Sequence, residues 1–82
     1  MNNLVGPRVK LARTMGVPKT TQAQLAAKVQ LQGVQLDRVA ISKIETGYRR
    51  VTDRELVVLA RALGVSVAWL LGESDEPAQQ KQ

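Results

Sequence analysis

Residues 37–50, DRVAISKIETGYRR, put cations, hydroxyls and aliphatic side chains in a spacing that sorts them onto two sides. An α-helix advances ~100° per residue. On that wheel Arg38, Val39, Ser42, Lys43 and Thr46 share one arc, and Ala40, Ile41, Ile44 and Glu45 share the other. The first arc is a set that can read base edges in a DNA major groove. Arg and Lys donate to guanine O6 and N7, hydroxyls contact base edges or phosphate, and a small apolar group meets the thymine methyl. The same arc could equally be a solvated face that touches nothing. On the second arc Ile41 and Ile44 face a core, and Glu45 is out of place. It lies near the helix C-terminus, where the macrodipole disfavours an anion, and half-buried and unpaired it would be costly. Either a cation from another element meets it, with Arg13 the candidate, or it leans out to solvent.

The charge balance bears on the partner. The chain has 82 residues and a formal net charge of +5. Residues 1–72 hold 11 Lys and Arg against 4 Asp and Glu (+7), whereas residues 73–82 hold one lysine against three acids (−2). A basic body with a short polar tail suits an anionic partner, although a merely soluble basic protein has the same balance. Cys and His are both absent, which removes disulfides and the usual ligands and bases of zinc, haem and triad-type sites. No paired carboxylates and no glycine-rich phosphate loop stand in for them. No enzyme activity, cofactor, metal site or small-molecule ligand is therefore expected. No apolar run approaches the ~20 residues of a membrane span, and MNNLVGPRVK lacks the long apolar stretch of a signal peptide. The expectation is a protein of the bacterial cytoplasm or nucleoid that does not engage a membrane.

The elements that must position the arc are helical. A chain of this length allows one modest core. With Tyr48 and Trp69 the only aromatics, that core must be built from Leu, Val, Ile and Ala. Pro7 suits a helix start, and a first helix over residues 7–15 places Val5, Val9 and Ala12 on one face, ended by Gly16, Val17 and Pro18. Thr21 and Gln24 form a capping box for a second helix through residue 32, with Leu25, Val29 and Gln32 on one face and Gly33 closing it. Val34, Gln35 and Leu36 make a connector, and Asp37 caps the third helix. Thr52 and Glu55 form a second capping box. The helix that follows has Leu56, Leu59, Ala60 and Leu63 as its core stripe, and Gly64 ends it. Ser66 caps a last short helix, VAWLL. Residues 73–82 have no apolar content and read as a disordered polar tail.

The segments TQAQLAAKV, ISKIETG and LARALGVSVAWLLG, in that order, resemble the Cro/C1-type (XRE-like) helix-turn-helix regulators of phages and bacteria. The resemblance spans residues 5–72. It implies an all-α, five-helix, lambda-repressor-like DNA-binding domain in residues 1–72, with the third helix in the major groove of double-stranded DNA. Carried over by position, Arg38, Val39 and Lys43, with Ser42 beside them on the same arc, fall where the family reads base edges. Thr21 and Gln22 fall where it grips phosphate, as do Thr46, Tyr48, Arg49 and Arg50 in the loop after the reading helix. Arg13 and Glu45 fall at the family's buried ion pair. One departure is clear: residues 25–42 are longer than the family's usual spacing and lack its tight glycine turn. This implies an extended second helix and a longer connector anchored by Leu36. Leu11 stands where the family usually has a polar residue.

The family usually dimerises on a palindromic operator, so a homodimer is expected, with Val58, Val67 and Leu71 as its candidate surface. Trp69 could serve that surface or the core. With no second domain in view, the chain reads as a stand-alone repressor. The alternative is an antitoxin-like or protein-interaction module on the same fold, although ESDEPAQQKQ offers a partner no amphipathic stretch.

Overall fold

The computed structural model describes residues 4–16 and 18–76. Five helices follow in chain order: α1 Gly6–Met15, α2 Gln22–Leu31, α3 Arg38–Glu45, α4 Asp53–Leu63 and α5 Val67–Leu70. There is no strand among the described residues. The fold is all-α, and none of these helices is long and apolar enough to cross a membrane.

Each helix start has a local cause. Proline opens α1, which spends no hydrogen-bond donor there. At α2 the Thr21 hydroxyl accepts from the Gln24 N–H (3.0 Å), and the Gln24 side chain accepts from the Thr21 N–H (2.9 Å). Thr52 and Glu55 make the same reciprocal pair at α4. Asp37 accepts from the Ala40 N–H (2.8 Å) at α3, and Ser66 accepts from the Trp69 N–H (3.0 Å) at α5. Such caps satisfy donors that the first turn leaves without partners, and each is worth about 1 kcal/mol.

The core is aliphatic. Val9, Leu25, Val29, Leu36, Ile41, Ile44, Leu59 and Leu70 are fully buried, supplied by all five helices and the segment between α2 and α3. Leu56 and Leu63 are only partly buried and pack against that centre. Trp69 is buried and lies beneath Arg8, whose guanidinium sits 4.7 Å from the ring centroid. Arg8 Nη1 also donates to the Trp69 carbonyl (2.9 Å) and to the Ser74 carbonyl (3.4 Å). This clamp fastens α5 to α1.

Several expectations are corrected in detail. α2 stops at Leu31, and Gln32 is its exposed C-cap rather than a member of the buried face. Gly33 takes a left-handed φ of 87°, a conformation that other residues resist, and this turns the chain off the helix before Gln32 can point inward. α5 ends at Leu70, one residue earlier than VAWLL suggests. Val58 is 6% exposed and belongs to the core, so it offers no surface to a second copy; the exposed valine is its neighbour Val57. The chain beyond Gly72 is still tied down at first. The Glu73 N–H donates to the Ala68 carbonyl (2.8 Å), and Ser74 is held by Arg8. Val17 and residues 77–82 lie outside the described residues.

The connector, residues 32–37, sets the relation of α2 to α3. Val34 and Leu36 point inward and Gln35 outward. The Gln30 side-chain amide donates to the Leu36 carbonyl (3.2 Å), so α2 itself holds the connector's buried end. Leu36→Ala would empty a fully enclosed site. Such truncations cost about 2–5 kcal/mol, so the urea midpoint should fall with an unchanged m value; an unmoved midpoint would mean that Leu36 does not anchor the connector.

Candidate nucleic-acid interface

α3 presents the arc drawn from its sequence. Arg38, Val39, Lys43 and Thr46 are exposed, Ser42 is half-buried, and Ile41 and Ile44 are fully buried behind them. Val39 is 51% exposed, unusual for a valine beside two buried isoleucines. No hydrogen bond or ion pair engages the Arg38 or Lys43 side chain among the described residues. The Thr46 hydroxyl is turned back onto its own helix, donating to the Ser42 carbonyl (3.0 Å).

Two open recesses flank this ridge. One is lined by Arg13, Lys19, Thr20, Thr21, Gln22 and Arg38. It joins the first residue of α3 to the start of α2, where the first-turn N–H groups have no intrahelical acceptor and attract anions. Lys19 is exposed there and escaped the sequence reading, although its place just before the Thr21 cap is the signal that could have found it. The other recess is lined by Asp37, Val39, Ala40, Lys43, Tyr48 and Arg49. It joins the far side of α3 to the loop that follows. In that loop Gly47 turns left-handed at φ 86°, the Tyr48 N–H returns to the Lys43 carbonyl (2.8 Å), and the Tyr48 ring is 81% exposed. The Arg50 side chain is exposed and no described residue engages it.

Behind the ridge, Glu45 joins three helices. Arg13 Nε donates to Oε2 (2.8 Å) and Nη2 to Oε1 (2.9 Å), a two-pronged pair whose side chains are 13% and 3% exposed. The Glu45 contact raises the Arg13 pKa further, through the hydrogen bond first and against the opposing effect of burial. Gln22 Nε2 adds a third donor to Oε1 (3.1 Å). Gln22, expected at phosphate, therefore spends part of its amide on Glu45. Arg13 also fixes the approach to α2: its Nη1 donates to the Thr20 carbonyl (3.1 Å), and the Thr20 N–H donates to the Arg13 carbonyl (3.0 Å).

Arg49 is engaged too. Its guanidinium forks onto Glu55, Nη1 to Oε1 at 2.8 Å and Nη2 to Oε2 at 2.9 Å, and Nη1 reaches the Arg50 carbonyl at 2.8 Å. The Arg49 hydrogen bond holds the Glu55 carboxyl below its ordinary pKa, outweighing the effect of burial, and the Thr52 N–H helps. So the structure brings Arg38, Val39, Ser42 and Lys43 onto one ridge, sets Thr21 and Tyr48 on its flanks, and turns Arg49 toward α4. The described dimer candidates Val67 and Leu71 are half-buried on the side of α5.

A family model described as helix-turn-helix matches residues 19–70. No curated protein and no solved structure matches the chain.

Glu45→Ala leaves the Arg13 guanidinium largely enclosed without a counter-charge, and breaking such a pair costs about 3 kcal/mol. For a domain of this size that lowers Tm by well over ten degrees. A Tm within two or three degrees of the parent would show that the pair contributes nothing net.

Proposed function

This chain belongs to the Cro/C1-type helix-turn-helix family of DNA-binding transcription regulators, and we propose that it is a repressor that binds a palindromic operator as a homodimer, in the bacterial cytoplasm or nucleoid. The observation that carries this reading is the ridge of α3, backed by the buried Ile41, Ile44 and Glu45, with the Arg38 and Lys43 side chains exposed in front and engaged by no described residue.

Affinity and specificity come from different parts of that surface. Arg38 and Lys43 donate to guanine edges, Ser42 supplies a hydroxyl, and Val39 meets a thymine methyl. The start of α2, through Thr21, Gln22 and the first-turn N–H groups, takes one phosphate run, with Lys19 beside it. Thr46, Tyr48 and Arg50 take another on the opposite flank. These contacts orient the domain but do not tell one sequence from another. Their strength comes largely from displaced counterions and falls as salt rises.

One domain reads few base pairs, which favours a pair of copies. The domain measures 31 × 27 × 23 Å. A domain of this size allows two copies to stand on half-sites about one turn of the duplex, ~34 Å, apart. Val67 on α5 and Leu71 just beyond its end, both partly open, are the apolar residues suited to that contact.

Selection of bound duplexes from a random pool tests the whole reading. A recovered motif with two inverted half-sites is expected, and recovery of no motif would refute sequence-specific binding. On the selected site, Arg38→Ala should cost about 1–3 kcal/mol and relax preference at one position of each half-site. An equal loss on every sequence would move Arg38 to the phosphate contacts. Arg50→Ala should weaken all sequences alike and lower the salt slope by about one unit per domain; an unchanged slope would remove Arg50 from the interface.

A further inference from the structure

We infer that Glu55 is a positioning residue of this interface: it withholds Arg49 from the DNA phosphates and so limits how tightly the loop after α3 grips any duplex. The inference rests on the DNA-binding reading above.

Arg49 lies between Tyr48 and Arg50 in the loop and lines the recess beside Lys43, so it stands where a cation would meet phosphate. Its guanidinium is nevertheless turned inward. Two of its nitrogens fork onto the Glu55 carboxylate, the geometry in which arginine binds an oxyanion most strongly. A phosphate would need the same fork. Asp37 adds a second negative field on Arg49 from the start of α3.

Glu55 does not depend on Arg49 for its own place. Its side chain is 12% exposed, and Oε1 accepts from the Thr52 N–H at 3.0 Å as half of the capping box on α4. The carboxylate is thus a fixed acceptor to which the loop's arginine is drawn. Paired in this way, Arg49 and Glu55 present no net charge to a phosphate, and sequence-independent affinity follows the number of phosphates neutralised.

The molecule supplies its own control for the test. Gln24 performs the capping-box role at α2 with an amide oxygen, accepting from the Thr21 N–H at 2.9 Å. Glu55→Gln therefore preserves the cap on α4 and removes only the charge that holds Arg49.

Binding to a duplex of arbitrary sequence is measured across salt concentrations for the full chain and its variants. Glu55→Gln should steepen the log–log salt slope by about 0.9 per domain, so that it gains roughly three- to fourfold more affinity than the parent between 200 and 50 mM salt. Arg49→Ala combined with Glu55→Gln should return the slope to the parent value. Asp53→Asn, the same charge change two residues away on an exposed side chain, should leave it unmoved. A parental slope in Glu55→Gln overturns the inference. So does a rise that survives loss of Arg49, or an equal rise in Asp53→Asn. If the parent binds no duplex even at low salt, the DNA-binding reading fails first and the inference with it.

Discussion

The carboxylate of Glu45 fixes the three helices that form the candidate interface. It sits at the C-terminal end of α3, where the helix's own carbonyls make an anion unwelcome, and its side chain is almost wholly enclosed. It is tolerable there only because Arg13 of α1 and Gln22 of α2 both donate to it. The arrangement therefore requires α1, α2 and the end of α3 to meet at one point. Arg13 extends the constraint through its exchange of hydrogen bonds with Thr20, which sets the segment entering α2 and with it the Thr21 cap. The direction of the α2 N-terminus and the roll of α3 are thus determined together.

Apolar packing completes what that point begins. A salt bridge fixes one end of α3 and leaves the rest free to swing. Ile41 and Ile44 fix the roll along the helix, and Leu36 plugs the core just before its start. With α3 held at both ends and from behind, Arg38, Val39 and Lys43 have no direction left but outward. An enclosed phenylalanine could serve as such a plug in other cores. Here, without one, the work is divided among branched aliphatics from every element. That makes the packing sensitive to single truncations, because each side chain fills a small, well-bounded space.

The helices were legible because their signals are local. Thr21 with Gln24, Thr52 with Glu55, Asp37 and Ser66 each announce a helix start within four residues. The apolar spacing of α4 announces its buried face. What escaped depends on contacts distant in sequence. Val58 and Val57 are adjacent valines on one helix, and the choice between core and surface turns on the rotation of α4 against the remaining helices. Arg8 carries no local mark of its stacking on Trp69, which lies 61 residues away. At the site, the wheel separated the faces of α3, since periodicity alone decides that. It could not show that Gln22 is shared with Glu45, nor that Arg49 is turned toward α4. Both depend on where an acid from another helix happens to lie.

Among the described residues, the cations drawn into the fold are all arginines, although Arg38, Arg50, Arg54 and Arg61 stay exposed, and the reason is geometric. Arg8, Arg13 and Arg49 are each drawn into the molecule, onto a ring, a carboxylate or main-chain carbonyls. A planar guanidinium can satisfy several acceptors at once while staying charged and only weakly hydrated. Lys10, Lys19, Lys28 and Lys43 are all exposed, as suits a compact ammonium that is costly to strip of water. The +7 of residues 1–72 is therefore carried by only some of its cations. Arg13 and Arg49 are cancelled by Glu45 and Glu55, so the effective field comes from the remaining cations. Of these, Arg38, Lys43, Arg50 and Lys19 lie on or beside the α3 ridge and are exposed there, which concentrates positive charge on that face.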